Sequence, residues 1–280
     1  MRRRRLLGGL AGVPVLALAQ PRPPRLVTVG GAITETVYAL GAEALLVGTD
    51  TTSLYPAAAQ RTPKVGYMRQ LSAEGLLSLR PDWVVASAEA GPPVVLDQVR
   101  SAGVRVELVP ARHDWSEVLQ VVDAVGRACA REAEARALAQ RLQRSWDDVR
   151  QRVAAAPRRA RVLFVLSHSA SPQVAGQGTA ADAVIGFAGG VNCLSGFAGY
   201  RPMTAEAMAA AAPDCVLTTS QSLQAHGGAE RFWARPELAL TPAYARRALI
   251  AMDALELLGM GPRLPATVAT LHQKFQALAS

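Results

Sequence analysis

Residues 71–87 read LSAEGLLSLRPDWVVAS, and residues 203–219 read MTAEAMAAAAPDCVLTT. The two align without a gap at an offset of 132: Ala73-Glu74 falls on Ala205-Glu206, Pro81-Asp82 on Pro213-Asp214, and Val84 on Val216. Each reads as a short helix stopped by proline and followed by a buried strand. At the same offset Arg69 falls on Arg201, with Tyr200 beside it. Short helix–strand units resemble one another generically, so the shared punctuation alone is compatible with coincidence. The paired arginines argue for a true internal repeat. Two lobes of one build would set equivalent loops face to face across a cleft. Ligands of open α/β sheets bind at such loop ends, and domain interfaces are favoured sites.

The chain on either side of these units supports two α/β halves. RLVTVG (25–30) reads as a strand, AITETVYALGAE as a helix ended at Gly41, and ALLVGTD (44–50) as a second strand. A polar, proline-containing loop, TTSLYPAAAQRTPKVGYM, leads into the first unit. PPVVLDQVRSAG is helical and VRVELVP (104–110) is a fourth strand. Alternation of this kind predicts a parallel sheet. From Asp114 to Ala156 the strand signal disappears. WSEVLQVVDAVGRACA predicts one helix, and the helix formers from Arg131 onward predict another of about 28 residues, roughly 40 Å long, ended by Pro157. Such a helix suits a stiff strut between the halves. ARVLFVLS (160–167) then reads as a strand, SHSASPQVAGQG as a loop, TAADAVIGFAG as a helix, PDCVLTT and LIAMD as strands, and PATVATLHQKFQAL as a closing helix. The expected division is an N-terminal lobe over 20–128, a connecting helix over 129–157 and a C-terminal lobe over 158–280.

Composition narrows the classes of function. Arg2 to Arg5 form a basic n-region, Leu6 to Leu16 an apolar stretch of about eleven residues, and Ala17-Leu18-Ala19 an A-x-A cleavage pattern. The expectation is an exported, periplasmic protein whose signal peptide, residues 1–19, is cleaved near Ala19. The formal charge is +8, and the four leader arginines account for half of it, which leaves +4. No dense Lys/Arg block remains, so nucleic acid is not an expected partner. No later apolar run reaches the 18 residues of a membrane span. Cys129, Cys193 and Cys215 match neither a disulfide framework nor a zinc spacing.

Four stretches carry a family resemblance: GGAITETVYALGA (30–42), SLYPAAAQRTPKVGYMRQLSAEGLLSLRPD (53–82), HSASPQVAGQGTAADAVI (168–185) and YRPMTAEAMAAAAPD (200–214). On these the whole mature chain resembles the class III, helical-backbone substrate-binding proteins of ABC importers, and within them the periplasmic haemin-binding proteins. The resemblance implies two Rossmann-like lobes with central parallel sheets, one long joining helix and a ligand cleft between the lobes. It implies Fe(III) haem b as the transported ligand, Tyr67 of the G-Y-x-R segment as axial ligand to the iron, and Arg69 steadying that oxygen or holding a propionate. The chemistry agrees. A phenolate is a hard anionic donor suited to ferric iron, tyrosine ligates haem in other folds, and a guanidinium fork suits carboxylates. A lone loop tyrosine would otherwise be only a half-buried aromatic.

His168 follows a second-lobe strand and is implied, more loosely, as a second iron ligand; a solvated loop histidine is the bland alternative. His113, His226 and His272 lack such a setting. Arg201 is expected to pair with a propionate and Tyr200 to stack on the porphyrin. Met68 and Met203 are expected as apolar cleft contacts, although methionine is more often core filler. In this class one acidic residue per lobe docks on the permease dimer, which points to Glu74 and Glu206. A first-turn glutamate is equally well explained by the helix dipole, and the two roles are compatible. The expected partners are haem and an inner-membrane ABC permease dimer with its ATPase, and the expected state is a monomer. Cobalamin or a ferric siderophore is the alternative ligand. A periplasmic enzyme is the remote one: Ser167-His168-Ser169 and Gly176-Gln177-Gly178-Thr179 are the tempting fragments, but neither a G-x-S-x-G elbow nor a P-loop occurs.

Overall fold

The strands that alternate with helices fall into two sheets. The computed structural model describes residues 22–166 and 172–279; the leader, with its cleavage pattern, and His168 lie outside them. The first half contains β1 (Leu26–Val29), α1 (Gly31–Ala39), β2 (Leu46–Thr49), α2 (Ala73–Ser78), β3 (Trp83–Ser87), α3 (Pro93–Ser101) and β4 (Arg105–Val109). Then come α4 (Trp115–Ala128) and α5 (Glu132–Ala154). The second half contains β5 (Arg161–Leu166), β6 (Gln173–Ala175), α6 (Ala180–Phe187), β7 (Val191–Asn192), β8 (Tyr200–Pro202), α7 (Ala205–Ala210) and β9 (Cys215–Thr219). It closes with α8 (Ser220–Ala225), α9 (Ala229–Trp233), α10 (Pro242–Ala245), β10 (Leu249–Met252), α11 (Ala254–Leu258) and α12 (Leu264–Ala279).

The first sheet has the order β2-β1-β3-β4 and is parallel throughout. Its central strands β1 and β3 are buried on both sides, which is why LVTV and VVA read as nearly continuous apolar runs. Ile33, Val37, Val121 and Val125 cover one face, and Leu76, Leu96 and Val99 the other. The second sheet runs β10-β9-β5-β6-β8, with β7 also on β5. Its β10, β9, β5 and β7 are parallel, and β6 is antiparallel to β5 and to β8. The alternation pattern did not show this antiparallel edge: residues expected as a loop include the short strand β6.

The internal repeat is real at the level of atoms. Asp82 accepts the Arg25 backbone N–H at 2.8 Å, and Asp214 accepts that of Arg161 at 2.9 Å. The Arg25 guanidinium donates to the Leu79 and Arg80 carbonyls at 2.8 and 3.0 Å. The Arg161 guanidinium donates to the carbonyls of Ala211 and Ala212, which occupy the same places in the second unit, at 2.5 and 3.2 Å. Helix ends leave such carbonyls without partners, and here an arginine from the neighbouring strand supplies them. Arg80 and Ala212 both turn through positive φ, 46° and 45°, ahead of the proline.

The stretch 129–157 is not one helix. Cys129 to Arg131 break it, with Ala130 at φ 51°, and α5 has 23 residues, roughly 35 Å. The division agrees with the reading of one helix up to Ala130 and another from Arg131, but the connecting helix is shorter than the 129–157 expected for it. The strut role is visible in packing. Ala135 and Leu138 of α5 lie in the first lobe's core, Trp146 and Val149 in the second's, and Leu142 touches both. Trp115 of α4 stacks on Trp146 with ring centroids 4.7 Å apart.

A second tie joins the lobes. Glu35 on α1 is 5% exposed and accepts three hydrogen bonds of 3.0 to 3.1 Å from Arg263, just before α12. The guanidinium also stacks on Tyr55, 3.8 Å from its ring centroid. Burial raises the Glu35 pKa by more than the guanidinium lowers it. For Arg263, burial works against the charge, but the bonds to Glu35 outweigh it and raise its pKa. The lobes meet closely here. A Cβ on Gly31 would collide with Leu255 and stand 2.7 Å from the Thr52 carbonyl oxygen, so only glycine fits. Arg263→Met leaves a buried carboxylate unpaired and is expected to cost about 3–5 kcal/mol in chemical denaturation, most of which returns in the Glu35→Leu/Arg263→Met pair.

Candidate functional site

The carboxyl ends of the first sheet's parallel strands open on a cavity of about 510 Å³, and the second lobe forms its far wall. That volume is ordinary for a ligand pocket. From the first lobe come Gly30 and Gly31 after β1, Thr51 and Leu54 after β2, Glu89 after β3, and Val109, Pro110, Ala111 and His113 at and after the end of β4. Leu166, Ala180, Tyr200 and Leu255 face them. The lining is mostly apolar, with its charge concentrated at one place.

That place is the segment Tyr67 to Arg69. Residues before it run beside β2, with Thr49 N–H donating to Pro63 at 2.9 Å and Val65 N–H to Thr49 at 3.0 Å. Gly66 then turns through φ 102°, a conformation that favours glycine, and presents Tyr67 to the cavity. Tyr67 is 40% exposed. Arg69 Nη1 donates to Tyr67 Oη at 2.9 Å, and its Nη2 pairs with Glu89. For Arg69, partial burial disfavours the charge, but the Tyr67 hydrogen bond and Glu89 outweigh it and raise the pKa. The ion pair is about half exposed on the arginine side, so it contributes at most about 1 kcal/mol to folding. Its position at the cavity matters more than its stability.

His113 lies on the same wall, which corrects the expectation that it lacks a site-like setting. Its Nε2 is 4.0 Å from Glu89. The loop before α4 places it: the Glu117 carboxylate accepts the backbone N–H of Arg112 and of His113, each at 2.7 Å, while Asp114 caps the helix. His113 takes φ 55° in doing so. Nothing in the local sequence distinguishes this histidine, because what brings it to Glu89 is the parallel pairing of β3 with β4. His226 and His272 lie elsewhere; His272 is buried and bonds to the Ala188 carbonyl.

On the facing wall, burial raises the Tyr200 pKa, while hydrogen bonds with Thr179 and the Ala181 backbone oppose the shift. Its ring also packs edge-on against Phe164 at 6.3 Å. Arg201 is not among the lining residues. Neighbouring strand residues point to opposite faces, and the Arg201 guanidinium lies over the Phe197 ring, 3.6 Å from its centroid. Met68 lines the cavity, whereas Met203 packs on the second lobe's core. Glu74 and Glu206 are exposed in the first turns of α2 and α7, behind the caps Ser72 and Thr204, and outside the cavity.

Comparison with known proteins follows the same lines. The model of the periplasmic binding protein family matches residues 26–255, and the chain belongs to that family. It is similar to the periplasmic haem-binding protein BhuT, solved with two haems: 48% identity and a TM-score of 0.87, over 92% of this chain and 99% of that one. It is also similar to the periplasmic haem-binding protein RhuT from Roseiflexus sp. RS-1, solved in apo form, at 35% identity and a TM-score of 0.88, over 92% of this chain and all of that one. A further relative is the uncharacterised ABC transporter substrate-binding lipoprotein YvrC of Bacillus subtilis (strain 168), 26% identical over 201 residues. That match spans 70% of this chain but 64% of the lipoprotein, less than two thirds of its length.

Glu117 supplies a test of this wall. Burial raises its pKa above 4.5, against the pull of its two backbone partners. A carboxyl raised in the folded state adds stability below its unfolded pKa and loses it as pH rises through the folded value. The melting temperature of the protein relative to Glu117→Gln is therefore expected to be highest near pH 4 and to decline toward pH 7. A flat difference would contradict the assignment.

Proposed function

We propose that the protein captures haem, as ferric haemin, in the interlobe cavity and delivers it to an inner-membrane ABC permease dimer driven by its ATPase. The observation that carries this is the exposed Tyr67 phenol at an apolar cavity, with the Arg69 guanidinium on its oxygen. An oxygen donor for ferric iron, apolar walls for a porphyrin face and a cation nearby are the groups haem needs. The two haem-binding relatives, each covered almost end to end, support the same ligand. Arg201 would have to leave the Phe197 ring to meet a propionate, and Arg69 is already bonded to the Tyr67 oxygen. Tyr200 offers its ring from the opposite wall. His168 stays a candidate second ligand.

In this reading the leader directs export and is removed near Ala19, and a monomer acts in the periplasm. The lobes divide at about 128 and 158, and α5, packing on both cores, connects them. The protein binds and hands over its ligand without chemical change. Glu74 and Glu206, one exposed carboxylate per lobe, are the docking contacts.

Haemin titration of residues 20–280 should give a saturable Soret shift with a high-spin ferric charge-transfer band. Tyr67→Ala should lose that band and weaken binding at least tenfold, about 1.4 kcal/mol. If the parent protein shows no saturable shift, haem is excluded, and cobalamin and ferric siderophores are the next ligands to titrate. Glu74→Arg with Glu206→Arg should leave the titration unchanged while abolishing haem-dependent ATPase stimulation of the permease complex in proteoliposomes. Retained stimulation would remove the docking role.

A further inference from the structure

We propose that Glu89 is the positioning residue that keeps the Arg69 guanidinium on the Tyr67 oxygen, and so sets how strongly that oxygen donates to ferric iron. The inference rests on the haem reading and deepens it. Arg69 is a long, half-exposed side chain at the rim of a cavity. Left alone, its fork would be free to turn to solvent or to a ligand carboxylate. Here the fork is divided: Nη1 goes to Tyr67 and Nη2 to Glu89.

Glu89 is itself held. Its backbone N–H donates to Ser87 Oγ at 3.2 Å, and Ala88 N–H donates to Val109 at 2.8 Å, which fixes the turn on the end of β4. His113 stands 4.0 Å from its second oxygen, placed in turn by Glu117. Three loops, after β2, β3 and β4, thus converge on the Glu89 carboxylate. Arg69, Glu89 and, across from them, Tyr200 all line the cavity, which places the pair toward the ligand space.

The consequence is chemical. A hydrogen bond from a cation draws electron density from a phenolate and weakens it as an iron donor. Holding Arg69 there favours a site that binds haem and still releases it. Without Glu89, the guanidinium would leave the oxygen part of the time, and the phenolate would bind iron more tightly.

The test is a cycle of Glu89→Gln, Arg69→Ala and the double variant, read by the charge-transfer band and by the rate of haem loss to a scavenger. Glu89→Gln is expected to move the band in the direction that Arg69→Ala moves it and to slow haem loss roughly three- to tenfold. In the Arg69→Ala background it should change neither. Glu89→Asp, which keeps the charge, should lie between the parent and Glu89→Gln. A band and rate left at parent values in Glu89→Gln, or effects that add in the double variant, would overturn the proposal. If the parent protein binds no haem, the functional reading fails at the titration, before any variant is compared.

Discussion

A buried carboxylate and a partly buried guanidinium, one from each lobe, hold the two walls of the cavity in register. Glu35 belongs to the first lobe and Arg263 to the second, and the carboxylate is almost entirely shut off from water. In that setting an unpaired charge is strongly disfavoured, so each lobe needs the other's ion. The stacked Tyr55 and the glycine at position 31, too close to Leu255 for any side chain, make the same junction tight. With α5 packed into both cores, the lobes are tied at two places, and the distance across the cavity follows from both.

The same chemistry has the opposite meaning at the rim. The Arg69–Glu89 pair is partly in water and adds little to stability. What it supplies is direction, a cation aimed at one phenol oxygen. One arginine–glutamate pair thus ties the lobes and another orients a cation at the cavity, and burial separates the two roles.

The two lobes were legible because their punctuation repeats. Pro81-Asp82 and Pro213-Asp214 mark the helix–strand corners, and the structure supplies the reason in arginines 57 and 53 residues upstream that tie each corner to the neighbouring strand. Tyr67, Arg69, Met68 and Tyr200 were readable as cavity residues from their loops and from a family resemblance. Arg201 was named on its offset alone, but β8 points it away from its neighbour, onto Phe197. His113 was passed over because its partner, Glu89, is brought near by strand pairing and not by spacing. The two helices on either side of Ala130 were readable, but the positive φ that separates them was not.

By itself the sequence determined the α/β alternation, the repeat, the glycine that turns the chain at position 66 and the presence of a phenol and a guanidinium two residues apart. These depend on local sterics and on the period of apolar residues, which are written along the chain. Only the tertiary structure decided which charges meet: Glu35 with Arg263, Arg69 with Glu89, Glu89 near His113. Such pairings are set by burial and by distances between segments far apart in the chain, and a linear pattern carries neither.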